Sequence, residues 1–334
     1  MCASFNTIKK GSRRGVLRFR CVSCSSWFSV NRKAKLNSFS LLKQHLDGTP
    51  FRKLASQNSI SPMTAYRKCI SALEDLPHCA DITRKYCSKF SGILLVDGKY
   101  IKVKGFDRKI PVIYGIDYLT HDIPTYIFSV SENYQTLKKF FSSLRLLNYP
   151  LYSLVSDDNL NFPQTCFEVY PKASWQLCTN HFKENIRTSL EVRTDPKYKY
   201  FMRAIEDLFR YKISEDNFNK LAKNLLTKYI HDELCVKILL DIERRKPNLL
   251  GYLSFKNTPT TSNLIESFNS HLNIRLKSIK GFEDFHHANA WLNGYFINRR
   301  TTPFTDCSGK FRHLNGRCSL EETLKRNVDL PTFF

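Results

Sequence analysis

Apolar and alternating runs typical of β-strands fill the part of the chain between about residue 91 and residue 178. Five strands are predicted there, at 93–96 (continuing into alternating residues at 100–104), 112–116, 125–130, 151–155 and 173–178. A helix over 137–147 precedes the fourth strand, and a second helix near 162–170 precedes the fifth. The predicted order of elements is therefore β-β-β-α-β-α-β.

Helical patterns replace the strands after this region. Residues 182–250 are polar and carry no strand signal, so we expect an all-helical insertion there. A late helix follows, with one apolar stripe made of Leu264, Ile265, Phe268, Leu272 and Leu276. Together these elements predict an α/β chain: a ribonuclease-H-like mixed sheet with a helical insertion over residues 88–305, followed by a C-terminal tail at 306–334.

Residues 36–80 predict a different unit, made of short helices at 40–46, 50–55 and 62–74. Ser61 followed by Pro62 is an N-cap signal for the third helix. The second and third helices have the spacing of a helix-turn-helix, which would present Thr64, Tyr66, Arg67 and Lys68 to DNA. A three-helix cap without DNA contacts has the same spacing, so both interpretations stay open.

The first 35 residues predict a small β-rich module. Strand-like runs at 15–20 and 27–30 flank Cys21 and Cys24, a Cys-x2-Cys pair that forms half of a zinc-ribbon site. Cys2 is a candidate third ligand, and the fourth would ordinarily lie about three residues before Cys2, ahead of the first residue of this chain. The alternative is a hairpin with two buried thiols.

The charge of the chain favours a polyanionic partner. Its formal net charge is +22, and residues 1–46 contain ten Lys and Arg but no Asp or Glu. Arg18 and Arg20 lie within this acid-free segment and are candidates for contacts with double-stranded DNA. No apolar run approaches the ~20 residues of a membrane helix. Eleven Cys, an odd number without a disulfide-like framework, suit a reducing cytoplasmic compartment.

Three acids lie at positions where a metal site is expected. Asp97 and Asp157 directly follow the first and fourth strands, which are neighbours in the predicted sheet, and Glu266 lies near the start of the late helix. Clustered carboxylates suit Mg²⁺ or Mn²⁺, and two such ions support phosphodiester chemistry. Each acid also has a structural alternative: Asp97-Gly98 is a hairpin dipeptide, Asp157 could end a strand, and Glu266 could cap its helix with Asn263.

Two further groups of residues accompany the acids. Asn269 and Asn273 share a face with Glu266, which would be either a solvated face or a polar ridge facing a metal and a phosphate backbone. Cys178 and His181 lie between the second and third acids, and a packed thiol with a hydrogen-bonding imidazole accounts for them without catalysis.

The segments that carry these residues resemble one known family. They are Leu95-Val-Asp97-Gly-Lys-Tyr100, Val155-Ser-Asp157-Asp158, Trp175-Gln-Leu-Cys178-Thr-Asn-His181 and Asn263-Leu-Ile-Glu266-Ser-Phe-Asn269. They resemble the Mutator-like transposases, specifically those of bacterial insertion sequences. The resemblance implies a DDE triad of Asp97, Asp157 and Glu266 that uses Mg²⁺ or Mn²⁺ to cleave and transfer DNA strands. It also makes Cys178 and His181 an auxiliary pair that shapes the site.

The resemblance also sets the expected partners and the competing hypotheses. The partners are double-stranded DNA, both transposon ends and target, and a second copy of the chain, because two ends must be brought together. In a prokaryote the protein would be cytoplasmic and associated with the nucleoid. The competing hypotheses are a transposase-derived DNA-binding protein without catalysis and a ribonuclease-H-like nuclease that cuts without joining. The intact triad argues against the first of these.

Overall fold

A small antiparallel sheet opens the computed structural model, which describes residues 2, 4–13, 16–29, 36–279 and 281–334. Its strands are β1 (Thr7–Arg13), β2 (Val16–Cys21) and β3 (Trp27–Ser29), in the order β1-β2-β3. Strands β2 and β3 confirm the two strand-like runs, of which residues 15 and 30 lie outside the described residues. Strand β1 was not predicted, because its residues are all exposed and show no apolar alternation.

Four helices follow the small sheet. They are α1 (Ser38–Leu46), α2 (Phe51–Gln57), α3 (Pro62–Glu74) and α4 (Cys79–Tyr86). The Ser61 hydroxyl accepts a hydrogen bond from the Thr64 amide at 3.1 Å, which confirms the predicted N-cap of α3. The three predicted helices are confirmed with ends shifted by one or two residues, whereas α4 was not predicted.

A five-stranded mixed sheet forms the centre of the molecule. Its strands are β4 (Ile93–Ile101), β5 (Ile110–Asp117), β6 (Tyr126–Phe128), β7 (Ser153–Ser156) and β8 (Ser174–Leu177). They lie in the order β6-β5-β4-β7-β8; β5 is antiparallel to β4 and β6, whereas β7 is parallel to β4 and β8. This is the element order that the sequence predicts.

Strand β4 corrects one expectation about Asp97. The dipeptide Asp97-Gly98 is not a hairpin turn, because β4 runs unbroken through it and Asp97 pairs with Tyr114 of β5. The predicted strand segment at 100–104 contains the end of β4, and the connection to β5 comes later, at residues 102–109. Pairing with β5 keeps the backbone at Asp97 extended.

Nine helices of the described residues follow or interrupt this sheet. They are α5 (Tyr134–Leu146), α6 (Asn161–Val169), α7 (Thr179–Ser189), α8 (Lys199–Leu208), α9 (Glu215–Lys228), α10 (Glu233–Leu249), α11 (Asn263–Ile279), α12 (Phe285–Thr301) and α13 (Ser319–Thr323). Helices α7 to α10 form the expected helical insertion, beginning three residues earlier than predicted. Helix α11 is the expected late helix.

Two apolar cores cover the two faces of the central sheet. Successive β4 residues point to opposite faces, so Leu94 and Val96 join the core formed with α5, α6 and the insertion helices. Leu95 joins the other core, which includes α1, α3, α11, α12 and the segment after α12. The predicted helical unit at 36–80 and the tail at 306–334 therefore share a core with the sheet, although their boundaries stay a prediction.

Candidate active site

Parallel pairing of β4 with β7 brings the first two acids together. The register pairs Leu95 with Val155, so the same register two residues further on places Asp97 beside Asp157. The pKa of Asp97 is raised to about 6. Burial is the main cause, and the negative charge of Asp157 contributes to the same rise. The sheet thus holds two carboxylates close enough to repel each other.

Asp97 is fixed by hydrogen bonds from the strand and from α11. Its carboxylate accepts bonds from the Gly98 amide at 2.8 Å and from the Asn269 Nδ2 at 2.6 Å. The Asn269 Oδ1 in turn accepts a bond from the Tyr114 hydroxyl at 2.8 Å, and only 8% of Asn269 is exposed. The face of α11 that carries Asn269 is therefore not a solvated face; it packs against the site.

Glu266 lies one turn before Asn269, on the same side of the sheet as Asp97. Its carboxylate accepts a hydrogen bond from the Ser262 hydroxyl at 2.7 Å and lies 3.9 Å from the His181 Nε2. The capping interpretation with Asn263 is wrong, because α11 begins at Asn263 and that side chain accepts a bond from Asn180 instead.

Cys178, His181 and Glu266 form a second cluster within the site, with ligand atoms all within 4.8 Å of one another. The Cys178 sulfur accepts a hydrogen bond from the Ser262 backbone amide at 3.3 Å and lies 3.1 Å from the Ser262 hydroxyl, whose proton is directed to Glu266. The hydrogen bond with Cys178 is the main reason why the pKa of His181 rises to about 9. Burial opposes ionisation of Cys178, yet the bonds from His181 and Ser262 lower the pKa of its thiol.

The side chain of Asp158 has different partners from the side chain of its neighbour Asp157. It forms an ion pair with Arg245 of α10, which also contacts Asp241. Asp157 instead accepts a bond from the Asn159 amide at 3.2 Å and affects the ionisation of Asp97. Of the two adjacent acids, Asp157 is the one that faces the site.

Glu132 is a fourth acid at this site, and no sequence motif identifies it. Its carboxylate accepts hydrogen bonds from the Tyr100 hydroxyl at 3.1 Å and from the Asn159 Nδ2 at 3.0 Å. Burial raises its pKa, and the charge of Asp157 adds to that effect. A Cβ at Gly98 would lie 2.1 Å from the Glu132 Oε2, so any larger residue there would displace the Glu132 carboxylate. Glu132 lies in the connection between β6 and α5, where no motif marks it.

The N-terminal cysteines converge in a separate place. The sulfurs of Cys2, Cys21 and Cys24 lie within 4.8 Å of one another. The interpretation as two buried thiols is wrong, because Cys21 is buried whereas Cys24 is exposed. Hydrogen bonds with Ser26 are the main cause that lowers the pKa of Cys24 to about 7. Three converging thiols, one of them acidified, supply three of the four soft ligands that zinc prefers.

The candidate DNA-binding residues differ in their surroundings. On α3, Arg67 is exposed, and the Thr64 hydroxyl lies 2.8 Å from the Ser61 hydroxyl. Lys68 is half-buried, and Tyr66 packs edge-on against Phe51 and His287 instead of pointing into solvent. In the small sheet, the Arg18 guanidinium lies over the Trp27 ring at 4.9 Å, and Arg20 donates to Ser25 at 3.1 Å. Arg67 is therefore the most accessible of the four candidates on α3.

A model of the protein family described as "Transposase, Mutator family" matches residues 58–296. The match covers well over half of the chain, so the chain belongs to the Mutator family of transposases and is an enzyme of that class. This confirms the resemblance seen in the sequence.

Two curated relatives are similar over most of the chain. They are the transposases for insertion sequence element IS256 in transposon Tn4001 from Staphylococcus aureus and from Enterococcus faecalis. Each is 25% identical over 284 residues, which cover 80% of this chain and 71% of the relative.

Two solved structures also show similarity. The Drosophila P element transposase strand transfer complex has a TM-score of 0.45 and 12% identity, covering 81% of this chain and 93% of that one. The Mos1 transposase paired-end complex with left transposon end has a TM-score of 0.21 and 13% identity, covering 67% and 81%. Within the part of the chain that the structure describes, no helix is long and apolar enough to cross a membrane.

Proposed function

We propose that the chain is a DDE transposase with a ribonuclease-H-like catalytic domain, in which Asp97, Asp157 and Glu266 are the catalytic acids. The observation that carries this proposal is the convergence of β4, β7 and α11 at one edge of the sheet. Asn269 joins α11 to Asp97 by a 2.6 Å hydrogen bond, one turn from Glu266. The three acids are far apart in sequence, so their convergence depends on the fold and not on local turn or cap chemistry.

The donor set fits Mg²⁺ or Mn²⁺, which prefer carboxylate oxygens. The raised pKa of Asp97 supports this, because it reflects buried negative charge that a cation would compensate. Among the described residues the oxygens of the three acids do not all lie within 4.8 Å of one another. The three acids can therefore bind a single ion only after a side-chain rotation; otherwise they bind two ions between them. Such ions activate the attacking oxygen and stabilise the leaving oxygen of a phosphodiester.

The remaining polar residues position these acids. Asn269 holds the orientation of Asp97, and Ser262 links the Glu266 carboxylate to the Cys178 sulfur. Cys178 and His181 therefore act on the site through Glu266, which is the auxiliary role that the family resemblance implies. Glu132 adds a further negative charge on the Asp157 side of the site.

The substrate is double-stranded DNA, both transposon ends and target. A net charge of +22 favours a polyanion, and the acid-free N-terminal module and the helix-turn-helix carry the candidate contacts Arg18, Arg20 and Arg67. In the N-terminal module, Cys2, Cys21 and Cys24 would supply three thiolate ligands to a Zn²⁺ ion. Because two DNA ends must be cut and joined together, the active form contains at least two copies of the chain.

The test compares single amide substitutions at adjacent acids. In an assay with DNA that flanks the coding sequence in its genome, Asp97→Asn, Asp157→Asn and Glu266→Gln should lower strand cleavage by about 100-fold or more, because each removes a ligand charge. Asp158→Asn is the matched control and should keep substantial activity, since Asp158 pairs with Arg245. DNA binding should persist in all four variants.

Other results of this assay would indicate a different function or a different set of catalytic residues. Normal cleavage by all four variants would rule out the DDE assignment, and inactivity of Asp158→Asn with activity of Asp157→Asn would move the second ligand by one residue. Cleavage without strand joining by the unaltered chain would indicate a nuclease. Binding without cleavage would indicate a DNA-binding protein.

A further inference from the structure

The cluster of Cys178, His181 and Glu266 contains two ligand types that the proposed Mg²⁺ or Mn²⁺ chemistry does not use. These hard ions prefer oxygen, whereas a thiol and an imidazole suit softer cations. The buried Cys178 sulfur nevertheless lies within 4.8 Å of a His181 nitrogen and of a Glu266 carboxylate oxygen. Sulfur, nitrogen and carboxylate oxygen are the three ligand types that Zn²⁺ takes in proteins.

The three side chains face a common point beside Ser262. The Ser262 hydroxyl oxygen lies 3.1 Å from the Cys178 sulfur and 3.5 Å from the His181 Nδ1. The same oxygen lies 2.7 Å from the Glu266 carboxylate. The ligand atoms are therefore directed towards one another and not towards separate partners.

Backbone contacts hold the two segments of the cluster together. Cys178 and His181 lie in the first turn of α7, three residues apart, so both are on one face of the helix. The amide and the hydroxyl of Thr179 both donate to the Thr260 carbonyl, at 2.9 and 3.1 Å. These bonds fix the start of α7 against the segment that leads into α11, the helix of Glu266.

The surroundings of Cys178 suit the thiolate form, which is the form that binds metal. Its sulfur accepts a hydrogen bond from the Ser262 backbone amide at 3.3 Å and lies at the N-terminus of α7. The Ser262 hydroxyl donates to the Glu266 carboxylate. Ser262 thus makes outer-shell contacts to two of the three ligands, as the residues behind metal ligands do.

The cluster is open on the side away from Cys178. The side chains of His181 and Glu266 are each 42% exposed, and the His181 Nε2 lies 3.9 Å from the Glu266 carboxylate. Both have room to rotate onto a cation, which needs ligand bonds of about 2.0–2.3 Å. Three protein ligands with a solvent-facing fourth position form the arrangement of open zinc sites.

We propose that Cys178, His181 and Glu266 form a binding site for a thiophilic divalent cation such as Zn²⁺, and that this cation displaces Mg²⁺ or Mn²⁺ from Glu266. The displacement rests on the proposed catalytic role of Glu266. Zn²⁺ binds mixed nitrogen, oxygen and sulfur sites more tightly than Mn²⁺ does, so it competes at lower concentration. A bound Zn²⁺ ion withholds the third acid from the catalytic ions and inhibits strand cleavage until a chelator removes it.

The experiment titrates the full chain with Co²⁺, which substitutes for Zn²⁺ and gives a sulfur-to-metal absorption band. The unaltered chain should bind one more Co²⁺ ion than Cys178→Ser, while Co²⁺ held by the N-terminal cysteines is common to both. Cys166→Ser is the matched control, because Cys166 is also a fully buried free cysteine but lies in α6, outside the cluster. It should bind Co²⁺ like the unaltered chain.

A second variant avoids changes in the core. His181 is half-exposed, and His181→Gln should bind this Co²⁺ ion at least about 100-fold more weakly, since loss of an outer-shell contact alone costs about 10–100-fold. Bound Mn²⁺, measured by electron paramagnetic resonance, should fall when Zn²⁺ is added to the unaltered chain or to Cys166→Ser. The same Zn²⁺ concentration should leave bound Mn²⁺ unchanged in His181→Gln.

Three results would overturn all or part of the inference. Equal Co²⁺ binding by Cys166→Ser, Cys178→Ser and His181→Gln would show a hydrogen-bonded cluster that takes no cation. Co²⁺ bound at Cys178 together with unchanged Mn²⁺ binding would refute the displacement. Absence of bound Mn²⁺ from the unaltered chain before Zn²⁺ is added would refute the proposed catalytic site and the displacement with it, whereas the Co²⁺ comparison still decides whether the thiophilic site exists.

Discussion

Asp97 is held between the negative charge of Asp157 and the amide donors of Gly98 and Asn269. Burial and the neighbouring acid favour the protonated carboxyl, whereas the donors favour the carboxylate. The result is a pKa of about 6. A buried acid with a raised pKa in a cluster of acids is typical of functional sites, because structural acids are more often stabilised in their charged form.

This pKa predicts the pH dependence of metal binding. A cation binds the carboxylate form, so apparent Mg²⁺ affinity should rise with pH through about 6 and stay constant above it. The increase in Tm caused by Mg²⁺ should be present at neutral pH and lost at acidic pH, where apparent affinity falls about tenfold per pH unit below the pKa. Thermal unfolding with and without Mg²⁺ measures this effect.

Asp97→Asn is the control for this measurement and should show no increase in Tm with Mg²⁺ at any pH. His181, with a pKa of about 9, stays protonated throughout this window and does not contribute to the change. An increase in Tm that is equal on both sides of pH 6 would show that the metal binds without Asp97.

Helix α12 connects the N-terminal helices, the central sheet and the C-terminal segment. Its Arg300 is 1% exposed and donates two hydrogen bonds of 2.8 Å to the fully buried Asp122. The same guanidinium donates to the Cys79 carbonyl and the Thr83 hydroxyl of α4, and Thr323 of α13 donates to Asp122. One buried ion pair thus joins three helices to the segment between β5 and β6.

Removal of one partner of this pair should destabilise the whole molecule. Arg300→Met leaves Asp122 charged, buried and unpaired, so we expect a loss of about 3–5 kcal/mol in the free energy of unfolding. Urea denaturation measures this loss. Arg84→Ala is the control: it removes the exposed pair with Asp81 and should cost less than about 1 kcal/mol. A similar small effect of both variants would contradict the role assigned to Arg300.

Charge acts at the scale of the whole molecule. The chain has 52 Lys and Arg and 30 Asp and Glu, which leaves a net charge of +22. This positive charge is far larger than one site needs, and it favours broad contact with a phosphate backbone. Helices α1, α3 and α4 pack on α12, where Gly294 allows Leu73 and Leu46 to approach closely. The proposed DNA contacts of α3 would therefore be fixed in position relative to the central sheet.

The salt dependence of DNA binding tests this arrangement. The logarithm of the affinity of the full chain should fall linearly with the logarithm of the salt concentration. Arg67→Ala should weaken binding and lower that slope by about 1, because one phosphate contact is lost. Lys228→Ala removes an exposed charge from α9 of the insertion and should leave the slope unchanged. Equal slopes in all three proteins would remove Arg67 from the DNA contacts.

The sequence alone determined the order of elements and the positions of the three acids. Apolar alternation identified the central strands, and helical spacing identified α3, α5 and α11, because burial of one face imposes a period that can be read directly. Strand order then predicted that Asp97 and Asp157 would meet, because parallel neighbours align their ends. The N-cap at Ser61 also depends only on neighbouring residues, so the sequence predicted it too.

Only the tertiary structure decided the rest, because those features depend on contacts between distant residues. Glu132 enters the site through its bonds with Tyr100 and Asn159, and nothing in its own segment marks it. Asp97-Gly98 has a turn-forming sequence, yet its pairing with Tyr114 and Ile113 of β5 keeps it within β4. Likewise, the Arg300–Asp122 pair joins residues 178 positions apart. Both side chains are buried by the fold, and each buried charge requires the other as its partner.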